Sequence, residues 1–442
     1  MWEQITYNQI MTAVLVIVMA ILWIMIGFVV GIIPAFPLRI TFTESCIYGM
    51  IAASMIWTIM GLVAYFRGDD IILALSKARK IGTDDIHRLN NIIEEMKIAS
   101  GLEIIPLMYI IDDPALNAFA VGCRPNKAAI IVTSGLLAKL NRDELQGVIA
   151  HETAHIKNRD VLLMTMCSML LGVMVVLSPL YAMLYTSGPN KSRMVIKPRG
   201  DLTLGLIVLV GCLAGIVWST FLPLTLISPW DTREFRGIVL ISLIFWGPIF
   251  FFAIPLIAHT ISSAISRRRE YLADATAVLY TRYPEGLASA LEKIAASTYQ
   301  VKSATALTAP LYITNPYREK GMAASDVTET HPPISERIKI LRSMARISYT
   351  DYDRAYRKLR GTDKSVLPNY AIARTGTAII RASQRDDTKP LQRARETSNI
   401  LWAISNYKLI NCACGTRMRL PPRYNLSEIR CPHCGKVNPV SV

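Results

Sequence analysis

The chain has 442 residues, of which 52% are hydrophobic and only 18% are charged, and its formal net charge is +15. Soluble globular domains usually carry about 25% charged residues, so this composition excludes an ordinary soluble chain. At about 100–200 residues per domain, the length allows two or three units. It also excludes a small scaffold held together by disulfides.

Five stretches without Asp, Glu, Lys or Arg are longer than the roughly 20 residues that a transmembrane helix needs. They are residues 7–38, 45–66, 161–190, 202–230 and 237–266. Buried helices of a soluble core are the alternative, but such helices rarely exceed about 14 apolar residues. A cleavable signal is not expected, since only Glu3 is charged before the first run and that run is too long. The pattern predicts a polytopic membrane protein.

The positive charge is concentrated in the tail. Residues 337–442 hold 21 Lys and Arg against 7 Asp and Glu. Lys and Arg accumulate on cytoplasmic segments, and they can attract anionic headgroups by about 1 kcal/mol each; a solvated basic surface is an equal alternative. Nucleic-acid binding is not expected, because no aromatic residues interleave with the charge. We therefore expect a multi-pass protein of the cell membrane with its tail in the cytoplasm.

Residues 67–160 are predicted to form a soluble unit between membrane segments. Apolar residues at helical spacing predict an amphipathic helix at residues 85–99, which stops at Gly101. The other predicted elements are β-branched strands at residues 106–111 and 128–133, an edge strand at residues 117–122, and a helix at residues 142–158 capped by Asn141.

The last of these helices carries the sequence His151-Glu152-Thr153-Ala154-His155. Its two histidines are one turn apart on one face, so both can reach a zinc ion at about 2.0–2.1 Å. Glu152 is placed to take a proton from water at the fourth ligand position. Two surface histidines on a helix are the alternative, but the chain has only 6 histidines, so chance rarely gives this spacing. The segment predicts one catalytic zinc ion with Glu152 as general base.

A catalytic zinc ion usually has three protein ligands. Glu270 and Asp274 lie one turn apart in a helical pattern that follows the last apolar run. Glu270 can then be the third ligand while Asp274 accepts an N–H from His151 or His155. A surface salt-bridge pattern with the preceding arginines is the alternative.

Three motifs together resemble the membrane-embedded zinc metalloprotease family that includes HtpX and the CAAX prenyl endopeptidases. The motifs lie at residues 151–160, 117–120 and 269–274, and a later His-Pro element lies at residues 330–338. The family's third ligand is a Glu of the second motif, which the resemblance maps onto Glu270. The HtpX branch is favoured, because five apolar runs do not easily enclose the larger chamber of the prenyl endopeptidases.

The His-Pro element supplies two further candidates. His331 could direct a donor at the developing oxyanion, or it could have a capping role while Pro332 and Pro333 begin the next helix. Both interpretations stay open. Arg337 is expected, with Asp274, to support the ligands from outside the metal's own coordination shell.

Four of the 8 cysteines are clustered near the C-terminus as Cys412-Ala413-Cys414 and Cys431-Pro432-His433-Cys434. This layout predicts a zinc ribbon with one structural zinc ion. The first pair has one residue between its cysteines where ribbons usually have two. Two disulfides are the alternative, disfavoured because the tail is expected in a reducing compartment.

The predicted fold class is a mainly α polytopic membrane protein with a zincin-like α+β metalloprotease domain, a small edge sheet and a C-terminal zinc ribbon. The predicted regions are a transmembrane hairpin at residues 7–66, two parts of the metalloprotease domain at residues 67–160 and 267–347, apolar membrane segments at residues 161–266, a basic linker with helices at residues 348–406, and the ribbon at residues 407–442. His151 and Glu270 must meet at one metal, so residues 161–266 are expected to cross the membrane an even number of times.

The expected activity is zinc-dependent endopeptidase cleavage of misfolded or damaged membrane proteins at the cytoplasmic face. Unfolded or membrane polypeptides would pair as extended strands with Asn117, Ala118, Phe119 and Ala120. CAAX-type processing is one alternative. The other is a membrane adaptor that binds partners through the ribbon and the basic tail. Oligomeric state and physiological substrate do not follow from the sequence.

Overall fold

The structure is a computed structural model that describes residues 2–31, 42–81, 87–124, 127–166, 267–305, 308–316, 332–373, 376–384, 388–405, 407–422, 424 and 427–440. The apolar runs at residues 202–230 and 237–266, and the run at residues 161–190 beyond residue 166, lie outside the described residues. The expected even number of crossings therefore stays a prediction from the sequence.

Two long helices, α1 (Trp2–Gly31) and α2 (Phe42–Leu75), pack against each other. Their approach is close, because a Cβ on Gly27 would lie 2.4 Å from the Cβ of Ala53. Large apolar side chains such as Ile17 and Ile59 are more than half exposed. Among the described residues, one helical segment, Glu44–Leu75, is long and apolar enough to cross a membrane.

The chain after α2 contains a four-stranded sheet, in the order β1-β2-β4-β3. Its strands are β1 (Arg79–Lys80), β2 (Leu107–Ile111), β3 (Ala118–Val121) and β4 (Ala129–Thr133). β2 and β4 are parallel, whereas β1 and β3 are antiparallel to their neighbours. The predicted strands are confirmed, and β3 is an edge strand of this sheet. All five residues of β4 are buried, because both faces of the sheet are covered.

The helices before the metal site follow the sequence pattern closely. They are α3 (His87–Ser100), α4 (Ser134–Lys139) and α5 (Arg142–Lys157). Gly101 ends α3 with a φ of +64°, a conformation that glycine adopts without strain. Asn141 and Glu144 form a capping box at the start of α5, so both the predicted cap and the predicted helix are confirmed.

Four further helices complete the fold around α5. The described part of helix α6 comprises residues 160–166 directly after α5, and the described part of α7 comprises residues 267–281. α8 (Pro284–Ala296) crosses α5, and α9 (Ile334–Arg342) packs on α8. At the α5–α8 crossing, a Cβ on Gly147 would lie 2.7 Å from the backbone nitrogen of Leu287.

The region expected to be a basic linker with helices does contain helices, and these pack on the part of the chain that carries α5. It forms α10 (Tyr349–Arg360), α11 (Asn369–Ile372) and α12 (Pro390–Ile404). Apolar residues from these helices, including Tyr352 and Ile400, join the same core cluster as α5. Two hairpins follow, formed by β5 (Lys408–Asn411) with β6 (Arg417–Leu420) and by β7 (Glu428–Arg430) with β8 (Val437–Pro439).

The close crossing at Gly147 gives a stability prediction. Gly147→Ala places a methyl group against backbone atoms of Leu287, which cannot rotate away. Overpacking of this kind costs about 1–3 kcal/mol and should outweigh the gain of up to about 1 kcal/mol in helix propensity. We expect a lower midpoint of thermal unfolding in detergent. Gly376→Ala is the control, since nothing lies within 4 Å of its added Cβ. Equal midpoints for the two variants would contradict the close crossing.

Candidate metal centre

Helix α5 presents both histidines to the protein interior. His151 is 0% exposed and His155 is 4% exposed. Their Nε2 atoms face each other at 3.2 Å. Glu152, between them in sequence, is also buried. The predicted spacing of one turn therefore brings two imidazole lone pairs to one point.

Helix α7 brings a carboxylate to the same point. The two oxygens of Glu270 lie 3.5 Å from His151 Nε2 and 3.5 Å from His155 Nε2. A tetrahedral zinc ion with ligands at 2.0–2.1 Å separates neighbouring donor atoms by about 3.3–3.4 Å. Two nitrogen lone pairs and a carboxylate at these distances repel one another unless a proton or a metal cation lies between them. The donor set thus fits one zinc ion, and the three residues are those predicted.

Carboxylates outside the donor set hold both imidazoles. Asp274 Oδ1 lies 3.0 Å from His151 Nδ1, and Asp160 Oδ2 lies 3.1 Å from His155 Nδ1. A proton on each Nδ1 leaves the Nε2 atoms free to bind a metal. The sequence predicted the place of Asp274 but missed Asp160. The missed signal was an acidic residue five positions after His155, beyond the turn where Arg159 has a φ of +62°.

Arg337 connects Asp274 to the ligand Glu270. Its side chain is fully buried, and it donates from Nη2 and Nε to the two oxygens of Asp274 at 2.7 and 2.8 Å. Nη1 donates to the carbonyl of Ile313 at 3.3 Å and lies 3.5 Å from Glu270 Oε2. Arg337 therefore has the supporting position that was predicted for it.

The pocket favours positive charge on its histidines. Burial alone would lower the pKa of His155, but Asp160 and Glu270 outweigh burial and raise that pKa to about 10. Burial alone would raise the pKa of Asp274, but Arg337 and His151 hold it below its usual value. Burial raises the pKa of Glu152. A site that stabilises added positive charge is suited to a cation.

The predicted substrate strand lies at the sheet edge near α5, and part of it already forms hydrogen bonds with residues 313 and 314. The carbonyl of Ala118 accepts from the backbone N–H of Ile313 at 2.9 Å, and Asn117 Nδ2 donates to the carbonyl of Thr314 at 3.0 Å. The rings of Phe119 and Tyr312 pack edge to face. The sequence did not indicate that residues 312–314 would cover part of β3. His331, the other predicted catalytic residue, lies outside the described residues.

The four clustered cysteines form a second group of metal-binding side chains. Cys412 Sγ lies 3.5 Å from Cys434 Sγ, and Cys414 Sγ lies 3.7 Å from Cys431 Sγ. Four thiolates around one tetrahedral zinc ion at 2.3 Å lie about 3.8 Å apart. A disulfide would require about 2.05 Å. The arrangement fits a single zinc ion despite the short first pair.

Two buried histidines one turn apart, a glutamate between them and a carboxylate from a second helix define a metallopeptidase of the HExxH class. Comparison with known proteins agrees with this class. The model of peptidase family M48 matches residues 85–345, and the chain belongs to this family.

Several relatives are named protease HtpX homolog. The relative from Dictyoglomus turgidum is 38% identical over 296 residues, which are 67% of this chain and 82% of that protein. The relative from Streptococcus uberis is 32% identical over 344 residues, which are 78% of this chain and 100% of that protein. No solved structure matches the chain. The chain is therefore a metalloprotease similar to HtpX, and its last 97 residues extend beyond the family match.

The contact between Asp160 and His155 gives a binding prediction. Asp160→Asn should lower the affinity of the site for zinc by about 10–100-fold, as changes to groups that orient a ligand do. Zinc release to a competing chelator measures this effect in the full chain. Asp112→Asn, at an exposed acidic residue, is the control and should bind zinc like the unchanged protein. Unchanged affinity in Asp160→Asn would mean that Asp160 does not orient His155.

Proposed function

We propose that the protein is a membrane-integrated zinc endopeptidase that cleaves misfolded or damaged membrane proteins at the cytoplasmic face. The observation that carries the proposal is the convergence of His151 Nε2, His155 Nε2 and the Glu270 carboxylate within 4.8 Å of one another. A zinc ion bound there would polarise the scissile carbonyl and lower the pKa of water.

Residues of the chain carry out the proton transfers and keep the ligands in position. Glu152 accepts a proton from the attacking water and then delivers it to the leaving amine. Its burial supports this role, because burial raises the pKa of the Glu152 carboxyl and so makes the carboxylate a stronger proton acceptor. Asp160, Asp274 and Arg337 keep the imidazoles and Glu270 in place. His331 stays a candidate donor to the oxyanion.

Substrate recognition would rest on main-chain hydrogen bonds. Asn117 directs its carbonyl to Thr133 of β4, and Ala118 directs its carbonyl away from the sheet to Ile313. Directions alternate along an antiparallel strand, so Ala120 also points its main-chain groups away from β4. An extended polypeptide can pair there without a required side-chain sequence. This binding mode suits unfolded substrates.

The location in the membrane is supported by the N-terminal hairpin. Helices α1 and α2 expose large apolar side chains along their length, as lipid-facing helices do. The end of α2 also contacts the chain just after β3, because Asp69 Oδ1 accepts from the backbone N–H of Cys123 at 3.0 Å. The end of the candidate span is thereby joined to the proposed substrate strand. Substrates at the membrane surface would be close to that strand.

Two other functions fit the chain less well. CAAX-type processing requires a chamber for a lipid chain, which five apolar runs do not easily enclose. An adaptor could use the ribbon, with its one structural zinc ion, and the basic tail to bind partners. However, an adaptor has no need for Glu152, which is buried beside the two histidines.

The proposed general base gives an activity prediction. Glu152→Gln should bind zinc normally and lose peptidase activity by at least about 10²–10⁴-fold, because general-base assistance is removed. The measurement is cleavage of an unfolded membrane polypeptide by purified protein, with zinc content determined in parallel. Glu103→Gln, at an exposed carboxylate, is the matched control and should remain active. Near-normal turnover by Glu152→Gln would refute its role.

The cytoplasmic orientation gives a labelling prediction. Cys414 and Cys434 are exposed, so chelation of the ribbon zinc should make them react with a membrane-impermeant maleimide. Inside-out vesicles should be labelled and right-side-out vesicles should not. A variant with all four ribbon cysteines changed to serine reports any reaction at other cysteines. Labelling only in right-side-out vesicles would place the tail on the opposite side.

A further inference from the structure

The two helices that carry the metal ligands come from distant parts of the chain. His151 and His155 lie on α5, Glu270 lies on α7, and residues 158–266 separate these helices in sequence. The three donors converge only if the two helices keep a fixed angle. Some contact must therefore fix the position of α5 relative to α7.

Arg381 contacts the end of α7. Its backbone N–H donates to the carbonyl of Arg282 at 3.0 Å, and its Nε donates to the carbonyl of Thr281 at 2.8 Å. Thr281 is the last residue of α7, and its carbonyl has no partner within the helix. A cation at this end of a helix is also favoured by the helix dipole. Arg381 thus caps α7.

The same side chain reaches the start of α5. Arg381 Nη2 donates to Asp143 Oδ1 at 2.7 Å and to Gln146 Oε1 at 2.6 Å. Ser383 Oγ and the backbone N–H of Gln384 donate to the other oxygen of Asp143, at 2.7 and 2.9 Å. Asp143 is consequently buried, at 6% exposure.

The position of Arg381 is itself fixed. The guanidinium lies 4.9 Å from the ring centroid of Tyr283, in the turn that leaves α7. Three residues earlier, Ala378 exchanges two backbone hydrogen bonds of 3.0 Å with Ile347. The segment from Ala378 to Gln384 is therefore held at both ends.

We propose that Arg381 is a positioning residue that sets the angle between α5 and α7 and so fixes the spacing of the metal ligands. Asp143 is eight residues from His151, and Thr281 is eleven residues from Glu270, which are about 12 and 17 Å along a helix. A small rotation at this far end moves the donor atoms, and a misplacement of about 1 Å can reduce a rate 10²-fold. Arg381 lies outside the family match at residues 85–345.

The test compares Arg381→Gln with Arg342→Gln in the full chain. Arg342 forms a surface pair with Glu285 and Glu292, so it offers the same chemistry without joining the two metal-bearing helices. Arg381→Gln should lose zinc to a chelator at a chelator concentration about tenfold lower than the unchanged protein requires. It should also lower kcat for a short peptide about tenfold, with little change in KM. Arg342→Gln should change only the thermal midpoint. The ribbon cysteines are the same in all proteins, so their zinc contributes equally.

Two further variants keep the test decisive. Arg381→Lys retains the charge near Asp143 but cannot also reach the carbonyl of Thr281, so it should fold and show a smaller decrease in both quantities. Asp143→Asn removes the same link from the other side, and its effect should not add to that of Arg381→Gln.

Two outcomes would overturn the inference. One is wild-type zinc affinity and kcat in both Arg381 variants, and the other is an equal decrease in Arg342→Gln. The inference rests on the proposed peptidase function, but zinc affinity is measured without it. If the unchanged protein cleaves no peptide, the proposed function fails while the zinc measurement still tests Arg381.

Discussion

The metal centre depends on a fully buried ion pair between Arg337 and Asp274. Removing both charges from water costs several kcal/mol per ion, so such a pair persists only when every donor and acceptor is satisfied. Here Asp274 uses its oxygens for Arg337 and lies beside His151, while Arg337 also contacts the Ile313 carbonyl and Glu270. One pair thus orients a histidine, a carboxylate ligand and the chain that borders β3. Loss of either partner would leave the other charge buried and would disturb all three.

The sequence predicted the parts of the site that depend on local spacing. The capping box at Asn141, the turn between His151 and His155, and the turn between Glu270 and Asp274 are all properties of a single helix, so they follow from short-range periodicity. The strands were predictable for the same reason, since β-branched runs such as Ala129–Thr133 alternate with clear turns.

Long-range contacts were harder to predict. Asp160 follows a turn with a positive φ at Arg159, which rotates its helix back toward His155, and no residue pattern specifies that rotation. Arg381 is one of many basic residues in a polar stretch, and only the folded chain shows that it joins α5 to α7. The packing of α10 and α12 was missed because the charged faces of these helices conceal their apolar ones. Tyr352 and Ile400 lie in the core, although their neighbours in sequence are mostly polar.

The hydrogen bond from Ile313 to Ala118 has a consequence for the length of a bound polypeptide. It closes one end of the free edge of β3, and just beyond the other end the backbone N–H of Cys123 is already bound to Asp69. Only the main chain around Ala120 then remains to pair with a guest strand in the proposed binding mode. So few main-chain hydrogen bonds bind a peptide weakly. Weak binding favours a substrate that is kept close to the strand by some other attachment. A segment anchored in the same bilayer meets this condition, because its high local concentration compensates for its few hydrogen bonds.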